Sequence, residues 1–161
     1  MYKMKIILFT LLVGLISCGD ERTKEKALTE TELLTELKSA PKSVTIGKNT
    51  FYLTTYLWRN FMPVAEENGG SMICVNSLTE KDSLSISGSI KLIKQYVIKE
   101  NEVWAADYTE ITKPNPYIIK GVVRDGPKWG PNIEVDIVCE FEQTGKIYRI
   151  LAASQKINAV Q

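Results

Sequence analysis

The chain has 161 residues, with 20 Lys and Arg against 19 Asp and Glu, three cysteines and no histidine. So small a net charge gives it no electrostatic reason to seek nucleic acid. The missing histidine excludes Ser-His-Asp and Cys-His catalysis, and with them His-bearing zinc or haem sites. The length suits a single domain with a real core. No P-loop, dinucleotide-binding glycine pattern or calcium-loop spacing occurs, so neither cofactor nor metal is expected.

In chain order, Lys3 and Lys5 precede an apolar run over residues 6–16, followed by Ser17 and Cys18. A basic start, a short apolar stretch and a small residue before the cut are the parts of a secretory signal. The run is shorter than the roughly 20 apolar residues of a transmembrane helix. The placement of the cysteine is favoured over two alternatives, an ordinary cleaved signal with an incidental Cys and an uncleaved anchor. Leu15-Ile16-Ser17-Cys18 resembles the lipobox of bacterial lipoproteins. That resemblance implies cleavage before Cys18 and three acyl chains, palmitate among them, on the mature N-terminus. Two chains already anchor stably, so three hold the protein at the membrane permanently. Removal of residues 1–17 leaves 144 residues with 18 basic and 19 acidic side chains, net −1. Gly19 after the cysteine argues, by the same resemblance, against retention at the inner membrane. Asp20-Glu21 resemble the acidic export tags of surface lipoproteins. The expected location is the outer membrane, at its periplasmic face or on the cell surface.

Residues 18–28 are polar and without periodicity, and read as a tether. Thr29-Glu30-Thr31-Glu32 has the order of a capping box, and Leu33, Leu34 and Leu37 follow at helical spacing. The pattern predicts a short helix over residues 30–38, ending before Pro41. The expected organisation is a signal peptide (1–17), a lipidated tether with this helix (18–42) and a β domain (43–161).

From Ser43 the texture is that of strands. A hairpin is expected over residues 44–58 with its turn at 47–49, then a loop over 63–70 and a short apolar strand over 72–75. Residues 76–82 read as polar loop. A long strand over 86–99 turns at Glu100-Asn101 into residues 102–106. Lys113-Pro114-Asn115-Pro116 reads as a connection. Residues 117–124 form the next strand. Val135, Ile137, Cys139 and Phe141 alternate with Glu134, Asp136, Glu140 and Glu142, the pattern of a strand with one face in the core and one in water. A hairpin turn at 143–146 leads to a strand over 147–151, with a last one near 156–160. About eight short strands point to an antiparallel sandwich. In size and rhythm the chain resembles immunoglobulin-like folds. Trp104 lies thirty residues after Cys74, too far for the strand-C tryptophan of antibody domains. The resemblance is to the architecture alone.

Three groups of residues could carry function. Cys74 and Cys139 sit at apolar strand positions, and an exported compartment permits a disulfide. Two separate buried thiols are the favoured alternative. The loop Arg59-Asn60-Phe61-Met62-Pro63 combines a guanidinium with aromatic and thioether groups that could grip a ligand, or that plug the end of the sandwich. Lys128-Trp129, between Gly126-Pro127 and Gly130-Pro131, presents an indole on a stiff loop. Both stretches resemble those of uncharacterised secreted β-domains, a likeness that carries no activity. The acidic stripe of residues 134, 136, 140 and 142 reads as a solvated face. The expectation is a binding or interaction module whose contact surface is Arg59, Phe61, Met62, Lys128 and Trp129, its partner a protein or a glycan. The alternative is a structural accessory of a larger envelope complex. An enzyme comes third, because no nucleophile has an activating base.

Overall fold

The computed structural model describes residues 29–63 and 65–161. The expected signal peptide, Cys18 and the expected tether over residues 18–28 lie outside the described residues. One helix, α1 (Glu30–Lys38), precedes nine strands among the described residues: β1 (Ser43–Ile46), β2 (Asn49–Asn60), β3 (Met72–Glu80), β4 (Ile90–Lys99), β5 (Glu102–Asp107), β6 (Glu110–Asn115), β7 (Ile118–Gly126), β8 (Glu134–Gln143) and β9 (Lys146–Val160). The protein is therefore mostly β. No helix among the described residues is long and apolar enough to cross a membrane.

Thr29 caps α1 as the sequence predicts. Its hydroxyl accepts from the Glu32 amide, and the Glu32 carboxylate accepts from the Thr29 backbone. The strands form one curled sheet in the order β5-β4-β8-β9-β2-β3-β7-β6, with β1 beside the start of β2. Every ladder is antiparallel except one. The last residues of β9, from Ile157 to Val160, run parallel to Leu57–Asn60 of β2. This departs from a wholly antiparallel sheet, and the cause lies in β9 itself. Residues 146–156 pair with β8, with a bulge at Ala153-Ser154. The bulge centres on Ser154, whose φ of 54° is left-handed, and beyond Lys156 the strand passes to β2. The Ser154 amide donates to the Asp136 carboxylate at 2.9 Å, which fixes the bulge. What reads in the sequence as two strands is thus one, bent where it passes from one half of the sheet to the other.

The two ends of the sheet, β5 and β6, are consecutive in the chain and joined only by Tyr108-Thr109. The sheet therefore curls until its edges meet at a covalent corner. Tyr108 folds inward there against Gly121 of β7, where a Cβ would lie 2.3 Å from the tyrosine ring. Phe51, Leu57, Cys74, Leu78, Val97, Ile119, Ile137, Cys139, Phe141 and Ile150 fill the interior between the two halves. A smaller cluster lies outside the β4-β8-β9 half. There Leu37 of α1, with Leu33 and Leu34, covers Tyr96, Ile98, Val138 and Leu151.

Four local expectations change. Residues 76–80 continue β3, because Asn76 and Glu80 are buried with partners inside the protein. Pro114 lies within β6, on the edge of the sheet beside a register shift between Thr112 and Asn115, one of the few places a strand tolerates proline. The strand expected over 86–99 begins at Ile90. The outer face of β8 is not simply solvated: Val138 is buried beneath α1, and Glu140 is half-buried against Arg149 and Tyr96.

Candidate functional site

The loops over residues 59–70 and 126–131 meet at the same end of the molecule, and Arg59 is the reason. Its side chain is fully buried. Nε donates to the Gly70 carbonyl at 3.0 Å, and Nη1 to those of Lys128 and Gly130 at 3.0 and 2.7 Å. Nη2 donates to the Asn68 carbonyl. A planar fork of donors suits this task of tying three segments together. Burial disfavours the charge and lowers the guanidinium's pKa from its usual value. The expectation that Arg59 touches a partner is therefore corrected: it has no exposed surface, and its donors are spent on backbone carbonyls.

Phe61 stacks on this guanidinium, 4.9 Å from ring centroid to Cζ. It also lies over Gly69, where φ is +66° and a Cβ would come within 2.5 Å of the ring. Trp129 is half-buried against the interior cluster, with the Lys99 ammonium 5.6 Å from its ring. Lys128 pairs with Glu66, and that hydrogen bond lowers the carboxyl's pKa. Of the five residues expected at the contact surface, Met62, 43% exposed, and Lys128 are the exposed ones. The loops are chiefly a packed plug.

Cys74 and Cys139 are free, buried thiols. They belong to a network that the sequence reading did not assemble. The Cys74 thiol donates to the Asn76 side-chain oxygen at 3.3 Å. The Asn76 amide donates to Gln95 at 2.8 Å and to the Tyr108 hydroxyl at 3.0 Å. That hydroxyl donates to the Cys139 sulfur at 3.1 Å. Burial pushes the Cys139 thiol up to about 12 and also raises Cys74, to which the Cys139 sulfur adds. Tyr108 is raised well above its ordinary value, again chiefly by burial. Groups held so firmly protonated are poor nucleophiles. Among the described residues, no three Cys, Asp or Glu side chains converge to hold a metal ion.

The feature that remains open to solvent is the outer face of β2, β3 and β7. Along β2, Phe51, Leu53, Leu57 and Arg59 point inward, while Tyr52, Thr54, Tyr56 and Trp58 point outward. Tyr56 is 52% exposed and Tyr52 38%. The Tyr56 and Trp58 rings lie side by side, centroids 5.3 Å apart and tilted by 33°. Cross-strand pairing sets Val75 beside Tyr56, Ile73 beside Trp58, and Val122 beyond Val75. Ser77 lies opposite Thr54, and Lys120 opposite Ser77. This is an apolar, aromatic centre with a hydroxyl-bearing border. The alternation of residues 51–59 carried the signal for it, since a strand with apolar residues on both faces has more than a core to meet. Compared with protein-family models, with curated proteins and with solved structures, the chain finds no match.

Proposed function

We propose that the protein is a lipid-anchored binding module of the bacterial envelope, held by acyl chains on Cys18 at the outer membrane and making its contacts through the outer face of β2, β3 and β7. Exposed Tyr56 beside half-buried Trp58, on a sheet face that no element among the described residues covers, carries this reading. Apolar side chains grouped on a monomer's surface mark interaction sites, and Tyr and Trp dominate the energetics of such contacts. The opposite outer face supports it by contrast, because α1 already covers the corresponding apolar residues there. Binding without catalysis is part of the proposal, in keeping with a chain that has no histidine. The finer architectural reading, an immunoglobulin-like sandwich, is likewise proposed. Two facing sheet halves and the strand number favour it, while the parallel β2–β9 ladder speaks against it.

Fractionation with affinity capture tests the proposal. The full chain pellets with membranes, Cys18→Ala stays soluble, and immobilised wild type retains envelope material that a Tyr56→Ala/Trp58→Ala variant does not. Pelleting of Cys18→Ala removes the anchor from the reading. Equal capture by both proteins removes the contact face.

A further inference from the structure

We infer that the partner of the β2–β3–β7 face is a saccharide chain, whose sugar rings lie flat on Tyr56 and Trp58. The inference rests on the contact face proposed above and names its ligand class. The cavities near α1 are lined by other residues, among them Lys38, Glu100, Asp136 and Ser154. A peptide anchor needs a pocket to fill, and an added peptide strand needs a free backbone edge. Among the described residues this face offers no such edge, because β2 and β3 are interior strands with neighbours on both sides.

A lipid surface is disfavoured by where the chain enters. The 28 residues before Thr29 join the domain at α1, on the outer face of the β4-β8-β9 half. The eleven residues over 18–28 span at most about 40 Å when extended. That attachment lies on the opposite outer face from Tyr56 and Trp58. The charges of the β2 face are also few. Arg124 is paired with Glu110 at 3.0 Å, and Lys120 and Lys156 are the other cations that border the patch among the described residues.

A pyranose ring presents one face of C–H groups and an equatorial girdle of hydroxyls. Aromatic faces accept the first through dispersion and their negative quadrupole. Uncharged hydrogen-bonding groups accept the second. Both kinds of group are in place: two neighbouring rings at the centre, and Thr54, Ser77 and Asn158 around them. Asn158 sits opposite Trp58, with its amide nitrogen held by the Leu57 carbonyl at 3.0 Å, which fixes the side chain in position. The separation of the two rings suits consecutive sugars of an equatorially linked chain.

The test uses the full chain in phosphatidylcholine vesicles, with tri-N-acetylchitotriose and maltotriose as probes and saturation-transfer NMR as the readout. Tri-N-acetylchitotriose, whose linkages are equatorial, should receive magnetisation on its ring C–H protons, and maltotriose, whose linkages are axial, should receive less. Tyr56→Ala should weaken that binding about tenfold, as loss of a central aromatic contact does. Trp58→Phe, which keeps an aromatic face, should weaken it less. Urea midpoints of the variants establish that they fold. Two results overturn the inference: transfer that is unchanged in Tyr56→Ala, or no transfer to either probe. If envelope capture is still lost in the double variant while neither sugar binds, the contact face stands and its ligand is a protein or another polymer. If capture is also unchanged, the contact face itself falls.

Discussion

Arg59 shows how a single side chain closes one end of the molecule. A buried guanidinium with backbone carbonyls for partners has no carboxylate to offset its desolvation, so its stability contribution depends on keeping those hydrogen bonds together. Arg59→Ala leaves several carbonyls unsatisfied and should cost about 2–4 kcal/mol in urea unfolding. Arg59→Lys should recover little, because one ammonium cannot reach three segments. The thiols give a second prediction at this scale. Folding holds Cys139 protonated up to about 12 against an ordinary 9.0, and Cys74 is shifted the same way. In the unfolded chain both ionise near pH 9. Their contribution is therefore fully present below pH 9 and is lost as pH rises toward 12. Urea midpoints should fall across that window, and Cys139→Ala should flatten the fall. A midpoint independent of pH there contradicts the buried network. Native protein should also leave both core thiols unreactive toward an aromatic disulfide reagent until it is denatured.

At the scale of elements, α1 and β9 carry the two departures from a simple sandwich. The capping box and the leucine spacing made the helix legible from residues 29–37. Its docking site was not legible, because Val138 is one apolar residue in an otherwise acidic outer row of β8. Arg149 joins the pieces: it bonds Glu140 at 2.8 Å and Glu36 of α1 at 2.7 Å. Burial works against its charge, yet these carboxylates outweigh burial and raise its pKa. Leu37→Ala should cost about 2–5 kcal/mol, the range for a fully buried leucine, as read from chemical denaturation. β9 was legible as two strands because polar residues 154–156 interrupt its apolar pattern. Only the left-handed Ser154 and its bond to Asp136 show that the chain continues. Ser154→Gly should stabilise the protein by about 1 kcal/mol by relieving that conformation. Asp136→Ala should lower the thermal midpoint. Asn76, Gln95 and Tyr108 were illegible for a different reason. Polar residues in a strand read as loop or surface unless their partners, 19 and 32 residues away, are already known.

For the whole molecule, the curled sheet has two outer faces of unlike character. One is apolar beneath α1, the first described element of the chain. The other is aromatic, open and bordered by hydroxyls. Its residues lie outside the packed interior, so the Tyr56→Ala/Trp58→Ala variant should keep a thermal midpoint within about the range of ordinary surface changes, roughly 0.5 kcal/mol in stability. Loss of binding without loss of stability is the signature of a contact surface. The most direct measurement is hydroxyl-radical footprinting of Tyr52, Tyr56 and Trp58 in intact cells and in the purified full chain. The binding-face account predicts that Tyr56 and Trp58 oxidise several-fold more slowly in cells, while exposed Met62 at the loop end oxidises equally in both. Equal oxidation of Tyr56 and Trp58 in the two samples would contradict it, because a face that meets a partner cannot be as open in the envelope as it is in solution.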